Sequence, residues 1–112
     1  MKKIAFIVNS LGVGGAEKHT ITLANRLSVL GYSITIFVLK KNNDLLDEVD
    51  SKINIKFLNV NKFYDKDTVN LINKECNNME IEEIFCINSY PLLYGYSAVK
   101  NTDIKCTIIH HT

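Results

Sequence analysis

"NSLGVGGAEKH", Asn9 to His19, carries Gly12, Gly14 and Gly15 within four residues, between an apolar run and an amphipathic one. Glycine loses more backbone freedom on folding than any other residue, so such a cluster needs a local reason. Two reasons fit: a tight turn, or backbone that must come close to a ligand such as a phosphate. The flanks decide the fold around it. Lys3 to Asn9, "KIAFIVN", is a continuous β-branched and aromatic run, which fits a strand buried on both faces. After the glycines, Ala16 to Leu30 repeats Thr20, Leu23, Ala24, Leu27 and Leu30 at three- and four-residue steps, one stripe of a helix. Gly31 then stands where a left-handed residue closes a helix.

The alternation continues along the chain. Ser33 to Leu39, "SITIFVL", reads as a second buried strand. Lys40 to Lys52 is polar and reads as a loop with one helical turn around Leu45, Leu46 and Val49. Ile53 to Leu58 alternates as a strand near an edge. Asp65 or Asp67 caps a helix to about Asn78, with Val69, Ile72, Cys76 and Met79 as its stripe. Glu83 to Asn88 is a fourth strand. Ser89 and Pro91 open a helix to about Lys100, with proline in the first turn, where it is tolerated. Ile104 to His110 is a fifth strand. Strands alternating with helices require right-handed crossovers and a parallel sheet. The expected fold is α/β, a Rossmann-like open parallel sheet of about five strands with flanking helices.

Bulk properties bound the function. The 112 residues suit one domain, residues 1–112, with a single core. A hydrophobic share of 46% and a net charge of +1 give no electrostatic case for nucleic acid. Cys76, Cys86 and Cys106 are odd in number and form no C-x-x-C pair, so neither a disulfide framework nor a zinc site is expected. The apolar run of Ile4 to Val8 is too short for a secretory leader, and no stretch nears the ~20 apolar residues of a membrane span. These features place the chain in the cytoplasm. Lys62, Lys66 and Lys74 leave room for peripheral contact with the inner face of a membrane, although a solvated helix face is the commoner explanation.

The glycine loop fails both common nucleotide fingerprints. A G-x-G-x-x-G reading from Gly12 puts Glu17 at the third glycine, and Lys40 and Lys41 stand where a ribose-binding acid belongs. A Walker loop fails because Glu17, Lys18 and His19 replace Gly-Lys-Ser/Thr. A nicotinamide-dependent oxidoreductase is thereby disfavoured. What remains is "GGAE", Gly14 to Glu17, entering a helix with Leu23, Ala24, Leu27 and a closing Gly31. Over about its first forty residues the chain resembles the family-4 glycosyltransferases of the GT-B fold; beyond them the likeness is topological.

That resemblance implies the amino-terminal, acceptor-side half of a two-domain retaining enzyme. A carboxyl-terminal donor-binding domain would be the missing partner, and a glycan or lipid-linked molecule the acceptor. It implies no cofactor and no metal, the nucleotide-diphosphate sugar being a substrate, and a setting in bacterial surface polysaccharide synthesis. The alternative is a non-enzymatic phosphate- or nucleotide-binding module that complements a separate catalytic chain. The chain stops at "TIIHHT" straight after a strand, which favours a piece of a longer protein or a face open to self-association.

The candidate binding residues lie where strands end, at the ligand edge of a parallel sheet. Gly14, Gly15 and Ala16 would present unpaired amides at a helix start, where the helix dipole favours an anion. Asn9 and Ser10 end the first strand, and Asn88 and Ser89 the fourth; all could hold sugar hydroxyls, and Asn9 and Ser10 could equally cap the turn. Many members of the resembled family have histidine at about the Asn88 position, and asparagine cannot be a general base. His111 matches a family histidine, though a surface role fits it as well. Neighbouring His110 would point to the other face. Catalytic residues are unassigned. Glu17 reads as a partner of the helix dipole, His19 as solvent-facing, and Tyr90, Tyr94 and Tyr96 as packing or as sugar-stacking rings.

Overall fold

The computed structural model describes residues 2–111. Five parallel strands form one sheet in the order β3-β2-β1-β4-β5. The strands are β1 (Lys3–Val8), β2 (Ser33–Val38), β3 (Asn54–Phe57), β4 (Glu83–Ile87) and β5 (Lys105–Ile109). Three α-helices connect them: α1 (Gly15–Val29), α2 (Lys66–Asn78) and α3 (Ser89–Val99). This is the Rossmann-like arrangement expected from the sequence. The β2–β3 connection, expected to be mostly loop, carries one short 3-10 turn at Leu46–Glu48.

The strand order makes the chain reverse direction between β1 and β4, so right-handed crossovers put helices on both faces. On one face Ile21 and Ala24 of α1 pack with Ile4, Phe6, Val8, Ile34, Ile36 and Val38. On the other, α2 and α3 bring Val69, Ile72, Cys76, Tyr94, Ala98 and Val99 onto Ala5, Ile7, Phe37, Ile84 and Cys86. Alternate residues of β1, β2 and β4 thus serve opposite cores, which is why these strands read as unbroken apolar runs. β3 and β5 are the edges, and none of their residues is fully buried.

Helix ends follow local chemistry. Asp65 accepts the amide of Asp67 at 3.0 Å and caps α2. Gly31, at φ +100°, ends α1: its amide reaches the Ser28 carbonyl and that of Tyr32 reaches Leu27, a Schellman closure. The stripe expected for α1 needs correction. Thr20 and Ala24 are buried, but Ile21 and Ser28 complete the buried face, while Leu23 is 38% and Leu30 69% exposed. The helix is turned so that Leu23 and Leu30 lie off the sheet contact.

The Pro91 expectation holds, since proline is buried in the first turn of α3. Gly95 permits a close approach: a β-carbon there would collide with Cys86 Sγ. Cys76 and Cys86 are buried thiols, and the sulfurs of Cys86 and Cys106 stand 3.7 Å apart, in thiol hydrogen-bond contact and with no disulfide between them. Burial pushes the Cys76 thiol up to about 12 and raises those of Cys86 and Cys106. Among the described residues no helix is long and apolar enough to cross a membrane.

Candidate functional site

The ends of β1 and β4 and the start of α1 meet at the carboxyl edge of the sheet. Val8, Asn9, Ala16, Glu17, Thr20, Ile87 and Asn88 line a narrow cleft of about 40 Å³ there. A larger hollow of about 530 Å³, lined by Asn77, Ile81, Glu82, Thr102, Asp103 and Ile104, lies at the opposite, amino edge. Size does not favour the carboxyl-edge cleft; its chemistry does, because unpaired amides converge there and none of the amino-edge residues offers a helix start.

Gly14 caps α1 in extended conformation, with φ −169° and ψ 163°, and no side chain bonds to the helix start. The first return bond is from Lys18 N–H to the Gly14 carbonyl at 3.0 Å. Among the described residues no acceptor takes the amides of Gly14, Gly15, Ala16 or Glu17. Those donors and the positive end of the helix dipole favour an anion. None of the three loop glycines has positive φ. Gly12 and Gly14 instead allow close approach, since a β-carbon there would lie 2.8 Å from Asn42 Nδ2 and 2.7 Å from Glu17 Oε1, and only Gly15 borders open space.

Glu17 modifies the cradle. Its carboxylate folds back so that Oε1 lies 2.7 Å from where a Gly14 β-carbon would be. The Ser10 hydroxyl meets Oε2 at 3.4 Å and accepts the Gly12 amide at 3.2 Å. Ser10 is therefore committed to shaping the turn. Glu17 stabilises the helix start, typically by ~0.3–1 kcal/mol, and covers Gly14. Gly15 stays open, and beyond it stands His111, whose Cε1 is 3.5 Å from a notional Gly15 β-carbon.

His111 is held from β4. Its backbone N–H donates to Asn88 Oδ1 at 2.6 Å, and His110 Nδ1 lies 3.4 Å from the same oxygen. The rings of His19 and His111 are 5.3 Å apart, so exposed His19 joins this edge instead of facing open water alone. The structure thus brings together Asn9, Ala16 and Asn88 in the cleft, and Gly15 and His111 beside it. Ser89 is exposed at the start of α3 and does not line the cleft. Among the described residues no three His, Cys, Asp or Glu side chains converge as a metal site.

Sequence reasoning missed Lys40, Phe63 and Thr20. Lys40 extends from the end of β2 over the Tyr90 ring, 5.6 Å from its centroid. Phe63 packs on Tyr90 at 5.2 Å yet stays 73% exposed, while the hydroxyls of Tyr90 and Tyr94 both donate to its carbonyl. Tyr94 is wholly buried, so it packs, and Tyr96 is exposed. Lys40 was legible as the residue after a strand; the neighbour it reaches was not.

No protein-family model matches the chain. The chain is 28% identical, over 99% of its length, to an uncharacterized glycosyltransferase of Haemophilus influenzae, and spans 33% of that protein. It superposes on a crystal structure of a glycosyltransferase from Rickettsia africae with a TM-score of 0.79, covering 96% of this chain and 29% of the other at 24% identity. The second likeness speaks for the fold. Together they support a glycosyltransferase domain in general terms. The chain spans about a third of the length of the curated relative.

Proposed function

We propose that this chain is the acceptor-side domain of a retaining, family-4-like glycosyltransferase, moving a hexose from a nucleotide-diphosphate sugar to a glycan or lipid-linked acceptor. One observation carries the reading: the unpartnered amides of Gly15 and Ala16 at the carboxyl edge, with His111 beside Gly15, in a chain similar along its length to a glycosyltransferase. Backbone donors fixed before the ligand arrives stabilise diphosphate charge without reorganisation. The cleft is half a site. A donor bound only at this edge would stay largely in water, so a second domain must close over it and supply most nucleotide contacts. The exposed Phe63 ring and Lys40 flank the same edge and suit a sugar face and an anionic group on the acceptor. Peripheral membrane contact would bring a lipid-linked acceptor to this edge.

The test is transfer by the full-length protein that carries this chain, screened across nucleotide sugars, with the anomeric configuration of the product read by NMR. Retained configuration with one preferred donor is the expected result. Nucleotide binding without transfer to any acceptor or water would favour the non-enzymatic module.

A further inference from the structure

Asn88 has φ 70° and ψ −179°, a backbone region open in practice only to glycine. It precedes α3, where asparagine ordinarily caps a helix, yet its side chain makes no cap bond. Its hydrogen bonds explain the conformation. The Asn88 amide donates to the Ile109 carbonyl at 2.9 Å, which continues the β4–β5 ladder one step past β4. In a parallel ladder the next bond would run from the His111 amide to the Asn88 main-chain carbonyl. That carbonyl has turned into α3, where the Leu92 amide approaches at 3.3 Å. The side-chain oxygen of Asn88 takes its place and accepts from His111 at 2.6 Å.

We propose that Asn88 is a positioning residue: its side-chain oxygen stands in for its own carbonyl in the sheet ladder and so holds the His111 imidazole against the amino end of α1. Asparagine suits this task because it carries an acceptor at carbonyl-like reach, and the strain of its backbone is held by the bonds on either side. The functional part rests on the reading that this edge receives the donor's phosphates. His111 then forms a wall beside Gly15, and its placement governs donor binding without Asn88 touching the donor through Oδ1.

The test compares Asn88→Gly and Asn88→Asp in the full-length protein. Glycine accepts the backbone but lacks the oxygen; aspartate keeps the oxygen. Asn88→Gly should raise hydrogen exchange at the His111 amide at least ~10-fold, while Asn88→Asp stays near wild type. Asn88→Gly should keep Tm within a few degrees, because relief of the backbone offsets the lost bond. Its donor KM should rise several-fold. In a double-mutant cycle with His111→Ala the two effects should be less than additive. Unchanged His111 exchange in Asn88→Gly overturns the proposal, as does a fall in Tm with exchange raised throughout the sheet. Raised exchange with unchanged donor KM, or full additivity with His111→Ala, makes the bond structural only. If the wild-type protein transfers no sugar, the reading of the preceding subsection fails, and the exchange comparison still decides whether Asn88 positions His111.

Discussion

A β-carbon on Gly15 would stand 3.5 Å from His111 Cε1, an ordinary van der Waals distance. An alanine therefore fits the fold at Gly15, and it narrows the space between the helix start and His111. Gly15→Ala should leave stability unchanged or raise it by about 0.4–1 kcal/mol, since it restricts the unfolded chain and strains nothing. Transfer by the full-length protein should fall ~10-fold or more, and Gly15→Val should fall further. Urea denaturation paired with initial rates checks this. Parallel losses in both would reduce the loop to a turn.

A second prediction concerns the opposite edge, where Glu83 is buried and Lys2 bonds its Oε1 at 2.9 Å, with Lys105 4.0 Å from Oε2. The Lys2 amine is held above its ordinary 10.5, first by the hydrogen bond to Glu83 and then by its charge. The folded chain therefore binds this proton more tightly than the unfolded chain does. The pair's contribution is complete below pH 10.5 and is lost as pH rises through the folded-state value. Urea midpoints from about pH 9 to about pH 12 should fall more steeply for wild type than for Glu83→Gln. Burial also raises the Tyr94 hydroxyl, but that effect is common to both proteins and cancels in the difference.

Tyr94 ties the β3–α2 loop to α3. Its hydroxyl donates to the Phe63 carbonyl at 3.1 Å and accepts the Asp65 amide at 2.9 Å. Tyr94→Phe keeps the ring but strands the Asp65 amide, while Tyr90 still serves the carbonyl at 2.7 Å. The expected loss is about 1–2 kcal/mol. Hydrogen exchange should rise across residues 60–65 and stay unchanged in α1. A uniform rise would mean that the ring's packing had failed instead.

The fold was legible because its inner strands β1, β2 and β4 are largely apolar on both faces, and because Gly31 closes α1, Asp65 caps α2 and Pro91 sits in the first turn of α3. The helix-start amides were legible too, since Gly14 and Gly15 stand between a strand and a helix. The facing of α1 was not: Leu23 and Ile21 are equally apolar, and only the sheet's position selects Ile21. Nor was the work of Asn88, because its partner lies 23 residues away and the bond exists only once β5 has paired with β4. Lys40 over Tyr90 is a further contact, between the end of β2 and the first turn of α3, that no spacing announces.

Gly95 gives the last prediction, and it was equally invisible in the sequence. A methyl at Gly95 would run into Cys86 Sγ and lie 3.3 Å from Ile7 Cδ1, both in fully buried positions. Replacing a mid-helix glycine by alanine ordinarily gains up to ~1 kcal/mol of helix propensity. Overpacking in a dense core ordinarily costs ~1–3 kcal/mol, so Gly95→Ala should be net destabilising. The collision has one principal source, so shrinking it should restore the balance. In Cys86→Ala the sulfur is gone, and adding Gly95→Ala to that background should cost less than it does in wild type, with an interaction of at least ~0.5 kcal/mol. Four urea curves complete the cycle. Strict additivity would mean that α3 moves off the sheet to admit the methyl, and that Cys86 does not set its distance.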